Sequence, residues 1–316
     1  MSAVIRNNRR TLAKVLIMRS RTPRTLKRTM LGVSALVSMA VGLPSPCGAT
    51  VAPHTLVSQV TCATPYVPMY HVDGLSQLRR WSNSSPATGG GSWTQQQIGT
   101  GWGTLTVFSG GSGTLFAVDS QGNLRWYQDG GFGGTGGAAW GSGTGSIVGT
   151  GWGGFTTLPS GGQGVVYGID ASGNLRWYRY LGTNGSASWA SGSGAVIGSG
   201  WSGLKLIASG AGTLYAVNSS GALYWYRHLD PTGGSASWAN NGSGQQVGTG
   251  WTFTATGSMG GGVLLGRDSA GGLWWYRHTD PLGGAATWAN SGIAISQGVG
   301  WAPVAVLADV AGCVAS

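Results

Sequence analysis

The sequence predicts an all-β chain, a five-bladed β-propeller of ~50-residue repeats closed by strands from both chain ends. Three observations carry that reading. First, a Gly-x-Gly-Trp element recurs with its Trp at 102, 152, 201, 251 and 301, so the spacings are 50, 49, 50 and 50 residues. Second, a turn-and-strand element recurs in step with it: Asp119 to Tyr127, Asp170 to Tyr178, Asn218 to Tyr226 and Asp268 to Tyr276, with a degenerate copy from Asp73 to Trp81. Third, the paired runs around each turn, such as Leu214–Val217 and Leu223–Tyr226, are apolar or aromatic at every position. Such runs call for burial on both faces, and sheets covered on both faces by neighbours of their own kind are propeller blades.

Each repeat reads in the same order. A strand follows the Gly-x-Gly-Trp element, then a second strand, then a turn such as Asn218-Ser-Ser-Gly221. In that turn the Asx side chain caps the backbone and Gly adopts positive φ. The Trp-Tyr strand comes next, and then a loop ending in a third Trp: Trp93, Trp140, Trp189, Trp238 or Trp288. The last Gly-x-Gly-Trp is followed by one strand, Pro303 to Leu307, and then the chain ends. The missing partner stands at the other end as Tyr66 to Val72. One blade is therefore expected to draw on both termini. Cys62 and Cys313 flank those two strands, which predicts a disulfide clasping the ring, worth on the order of 4–5 kcal/mol in loop-closure entropy.

Composition narrows the class further. The 316 residues include 61 Gly and 16 Trp but no Glu, and 8% are charged. Glycine without a G-x-y period excludes collagen, and abundant Trp argues against a disordered tract. Few charges argue against a helical bundle. The net charge of +10 suggests a nucleic-acid partner until it is mapped. Residues 1–64 hold nine basic groups and no acid, whereas residues 65–316 hold nine basic groups and eight Asp, leaving +1. No nucleic-acid partner is expected. The basic stretch precedes an apolar run over 30–43, shorter than the ~20 residues of a membrane span, and small residues precede Thr50. This order reads as a secretory leader over 1–49, with a short linker over 50–64 and the propeller over 65–316. The mature protein is expected to be extracellular, monomeric and without stable membrane insertion.

Catalytic material is scarce. There is no HExxH or CxxC spacing, none of the four His recurs in every repeat, and the turn Asp residues read as backbone caps. No catalytic residue, metal site or cofactor is expected. Binding material is richer. The loop Arg227-His228-Leu-Asp230-Pro through Trp238-Ala-Asn240 returns as Arg277-His278-Thr-Asp280-Pro through Trp288-Ala-Asn290, and Trp189 ends a similar loop. An aromatic plane beside neutral hydrogen-bonding groups suits an uncharged sugar. Trp189, Trp238, Trp288, His228, His278, Asp230, Asp280, Asn240, Asn290, Arg227 and Arg277 are the candidate binding residues.

Five repeats near 50 residues, each with Gly-x-Gly-Trp, a strand pair and a Trp about a dozen residues before the next Gly-Trp, resemble the tachylectin-2 lectins over residues ~65–310. The resemblance implies a five-bladed propeller with one N-acetylhexosamine site per repeat, between neighbouring blades. The family's Asp-Asn before the loop Trp is replaced here by Ala-Ser237 and Ala-Thr287. The expected function is a secreted, non-catalytic, multivalent lectin for neutral or N-acetylated sugars, with glycans or polysaccharide as partners. The alternative is a secreted protein-interaction propeller that binds no sugar.

Overall fold

The Gly-x-Gly-Trp element is a local device that tucks an indole under a sheet. A Cβ on Gly99, Gly149, Gly198 or Gly248 would lie within 2.5–2.8 Å of the indole Nε1 of Trp102, Trp152, Trp201 or Trp251. The second Gly, at 101, 151, 200 and 250, holds φ between 74° and 79°, where a side chain costs about 1–2 kcal/mol. The turn they make drives each Trp inward, and Trp102, Trp152, Trp201, Trp251 and Trp301 are buried.

In the computed structural model, which describes residues 59–63, 65–301 and 305–316, these turns link five sheets. Blade two runs Thr106–Gly111, Thr114–Val118, Leu124–Gln128 and Ser146–Gly149 from the inside outward. Blades three to five repeat the pattern over 155–198, 205–248 and 255–296. In blade three the inner strand is broken at Pro159, whose carbonyl still accepts from the Tyr167 amide at 3.0 Å. Proline interrupts a ladder because it has no N–H to give.

Blade one is the composite that the repeat count predicts. Its second, third and outer strands are Val67–Val72, Leu78–Ser85 and Gly90–Gly99, and its inner strand is Leu307–Ala308 from the other end of the chain. The register pairs Met69 with Ala308 and Tyr70 with Leu307. Cys62 and Cys313 are disulfide-bonded. The sequence places both in loops, whereas the structure places both in strands: Val60–Cys62 pairs antiparallel with Cys313–Ala315. That ribbon joins the inner edge of blade five through Gly260 and Cys313. The clasp therefore ties the chain ends to blade five, while the shared strand ties them to blade one. The proposed leader over 1–49 and Pro303 lie outside the described residues.

Burial on both faces holds for the second strands. Thr213–Val217 is buried at every position. The third strands alternate instead: in Leu223–Arg227 only Leu223 and Trp225 are buried. Blades splay apart with distance from the axis, so the outer half of each sheet has less of its neighbour to lean on. Large aromatic side chains fill that widening gap.

The inner strands enclose a cavity of about 210 Å³ along the axis. At one end, Asp309 accepts from the amides of Ser112 and Gly113 at 2.8 Å and of Ala311 at 3.0 Å. Burial raises the pKa of this carboxyl despite those three donors.

Candidate functional site

The Trp of Gly-x-Gly-Trp meets two aromatic residues of the following turn-and-loop unit. Trp251 lies 4.9 Å from Tyr276 and 5.8 Å from Trp288, centroid to centroid. The arrangement recurs as Trp201 with Tyr226 and Trp238 at 4.7 and 6.0 Å, and as Trp152 with Tyr178 and Trp189 at 4.6 and 5.4 Å. Trp102 with Tyr127 and Trp140 repeats it at 4.4 and 5.8 Å. The fifth copy crosses the chain ends: Trp301 with Trp81 at 4.6 Å and Trp93 at 5.4 Å. The triad of Trp251 lines a cleft of about 290 Å³ together with Gly248, Gly250 and Gly292.

The loop Trp residues each bridge two blades. Trp189, Trp238 and Trp288 donate their indole N–H to the carbonyls of Val148, Ile197 and Val247, all at 2.7 Å, and Trp140 donates to Ile98 at 2.9 Å. One ring edge is thereby fixed while the ring itself stays half-buried. Among the described residues, the indole N–H groups of Trp102, Trp152, Trp201 and Trp251 make no hydrogen bond. Four of the five triads thus join aromatic surface to an unspent donor, whereas Trp301 donates its indole N–H to the Gln297 carbonyl at 3.3 Å. Asn240 and Asn290 stand beside the loop Trp on exposed turns over 239–242 and 289–292, with left-handed φ of 50° and 52°.

The other predicted site residues do not line this cleft, although His228 and His278 pack on Trp238 and Trp288 with ring centroids 5.1 Å apart, and most are engaged inside the protein. His228 is fully buried. Its Nε2 lies 2.7 Å from the Ser235 carbonyl, which can only accept, so Nε2 carries the proton and Nδ1 accepts from the Tyr167 hydroxyl at 3.1 Å. His278 repeats the arrangement with Ala285 at 2.6 Å and Tyr215 at 2.8 Å. Asp230 caps its own loop through the amides of Gly233 and Ser235, as Asp280 does through Gly283 and Ala285. The Pro231 and Pro281 carbonyls then accept from Trp177 and Trp225 of the preceding blade. Arg227 donates to the Leu282 carbonyl at 2.6 Å. Arg277 is half-buried and keeps its Nε unpaired. The His-x-Asp-Pro element is a grip by which each blade holds the one before it.

The Gly-x-Gly-Trp indoles are buried in the packing between blades, and Tyr178, Tyr226 and Tyr276, which the sequence analysis does not single out, lie against three of them. The signal was available in the third strands, where a Tyr follows the buried Trp in four repeats. The turn residues behave as caps. Asp170 accepts from the amides of Ser172 and Asn174 and from Arg176, and the Asn174 amide foremost holds its pKa down at about 2.

The neutral His ties predict acid lability. Burial lowers the pKa of His228 and His278, and lowers that of His71, the acceptor for the Trp81 indole, to about 4. An unfolded His titrates near about 6.5. Above that pH neither state is protonated at these sites. Below it the unfolded chain binds protons first, so stability falls as pH drops from about 6.5 toward about 4. Thermal melts across this window are expected to show a falling midpoint. In a His228→Gln/His278→Gln variant the slope is expected to be shallower; an unchanged slope would remove these residues as its cause.

A ring of five blades with one aromatic triad at every junction defines the class: a repeat-built five-bladed β-propeller. The chain belongs to the Tachylectin family, whose sequence model matches residues 71–305. No curated protein matches it. Solved structures similar to it include the BP39L lectin from Burkholderia pseudomallei, with 18% identity over 76% of this chain and 70% of that one, at a TM-score of 0.38. AofleA from Arthrobotrys oligospora shows 11% identity over 72% and 67%, also at 0.38. The SapL1 lectin, solved with alpha methyl fucoside, shows 14% identity over 75% and 83%, at 0.36. The family assignment rests on the sequence match.

Proposed function

We propose that the chain is a secreted, non-catalytic, multivalent lectin whose sugar sites are the aromatic triads at the blade junctions. The observation that supports this most is the pairing of half-buried aromatic planes with an indole N–H that has no partner among the described residues. A pyranose ring offers what such a cleft lacks: C–H faces to cover the rings and hydroxyl oxygens to accept the proton. No Lys, Arg, Asp or Glu lines the cleft at Trp251, in keeping with a neutral or N-acetylated sugar. Trp189, Trp238 and Trp288 supply the planes, and Asn240 and Asn290 supply amides at the edge. Arg227, His228, Asp230, His278 and Asp280 hold the loops that carry them. Weak sites repeated around a rigid ring gain avidity on a polyvalent glycan.

A glycan array run with the full chain and with Trp238→Ala/Trp288→Ala tests the reading, with thermal melts to confirm that the variant is folded. Retained glycans are expected to lose about tenfold or more in apparent affinity, since avidity multiplies the loss of single sites. An array without hits would sink the proposal. So would a folded variant that binds as the parent does. Protein capture insensitive to free sugar would favour a protein-interaction propeller instead.

A further inference from the structure

The grip between blades fails at one junction. Trp177, Trp225 and Trp275 donate their indole N–H to the carbonyls of Pro231, Pro281 and Pro86 on the next blade at 2.8, 2.9 and 2.8 Å. In blade one the equivalent position is Arg80, which bonds Asp129 and the Gly136 carbonyl. In blade two it is Trp126. Among the described residues the Trp126 N–H has no partner.

The cause lies in the loop of blade three. Repeat four reads Leu-Asp-Pro-Thr-Gly-Gly-Ser-Ala-Ser-Trp238, whereas repeat three reads Leu-Gly-Thr-Asn-Gly-Ser-Ala-Ser-Trp189. It is one residue shorter and has neither the capping Asp nor the Pro. The space that Pro231 and its neighbours occupy elsewhere is left as a cavity of about 390 Å³ between blades two and three, within the ~300–1,000 Å³ range of small-molecule sites.

We infer that this cavity is a binding site for a single uncharged hydroxylated ring, a neutral monosaccharide unit, distinct from the triads and independent of their assignment. Its walls have the two features such a ligand needs. Phe116 and Tyr180, packed 5.5 Å apart edge to face and both buried, form its apolar floor. Trp126 offers the donor that its counterparts spend on a proline carbonyl. Gln163 and Asn184 line the cavity, are exposed, and make no side-chain hydrogen bond among the described residues. Gln128 is already committed, accepting from Thr114 and donating to the Ser112 carbonyl. No Lys, Arg, Asp, Glu or His lines the space, so a charged ligand would find no counter-charge. A sugar oxygen accepting from Trp126 takes the place of the missing carbonyl.

The test follows the indole N–H resonances of the ¹⁵N-labelled full chain during titration with glucose, galactose, mannose and N-acetylglucosamine. Trp126→Phe keeps a ring and deletes one resonance, which assigns it. That resonance is expected to shift saturably with at least one sugar. Gln163→Ala/Asn184→Ala is expected to weaken the titration about tenfold, the loss of one to two net hydrogen bonds. Exchanging Gly182–Gly185 for the Asp-Pro-Thr-Gly-Gly of repeat four should abolish it by restoring the grip, with a raised melting temperature as the sign that the loop has docked. Trp238→Ala/Trp288→Ala should leave it unchanged, which separates this site from the triads. The inference is overturned if no sugar moves the Trp126 resonance, or if the docked-loop variant titrates as the parent does.

Discussion

Asp129→Ala is expected to destabilise the fold by about 3–5 kcal/mol, because it strands a buried cation. Arg80 is 0% exposed and Asp129 1%. The guanidinium Nη1 lies 2.6 and 2.8 Å from the two carboxylate oxygens, and the Tyr70 hydroxyl donates to the same group at 3.1 Å. With Asp129 removed, the charge has only the Gly136 carbonyl to turn to. The repeat explains what this ion pair replaces. Arg80 stands where the other blades carry Trp126, Trp177, Trp225 and Trp275, and Asp129 stands where they carry Tyr180, His228 and His278. Arg80→Trp/Asp129→His would recreate the Trp and the Tyr-to-His tie of blades three to five. The double variant is expected to recover most of what either single change loses, a coupling of about 2–3 kcal/mol. Urea unfolding of the four proteins reads this directly, and simply additive losses would refute the exchange.

Opening the Cys62–Cys313 clasp is the second large effect. The two residues are 251 apart in sequence, so the cross-link removes a long loop from the unfolded ensemble and contributes about 4–5 kcal/mol on chain-entropy grounds. Cys313 is 1% exposed, so reduction is expected to require partial unfolding. Cys313→Ser, or reductant present throughout a urea titration, should move the midpoint to markedly lower urea. An unmoved midpoint, with two free thiols verified after denaturation, would show that the shared strand alone holds the ring shut.

The repeat period, the composite blade and the disulfide pairing were legible in the sequence because each rests on spacing. Trp102 to Trp301 mark time at near-constant intervals, and a strand missing at one end and present at the other has one place to go. The site was less legible. His228, Asp230 and their copies look like ligand chemistry because they are polar and recur in a loop. Their partners, Tyr167, Ser235 and the Trp177 indole, come from other strands or another blade, and spacing along the chain does not report contacts across a junction. Arg80 shows the same limit: its partner Asp129, 49 residues on, neutralises it in the core. The tyrosines of the triads were hidden by their own regularity, since an aromatic run on a buried strand looks like packing.

The borrowed inner strand of blade one sets an order in time. Val67–Val72 is among the first segments of the ring to leave the ribosome, and Leu307–Ala308 among the last. At ~5–20 residues per second the interval is roughly 10–50 s. Throughout it, a strand buried at five of its six positions in the finished protein waits with an unpaired edge, the feature that invites pairing with foreign chains. The part of the ring made earliest is therefore the part finished last, and any chain cut short of residue 307 keeps that edge open for good.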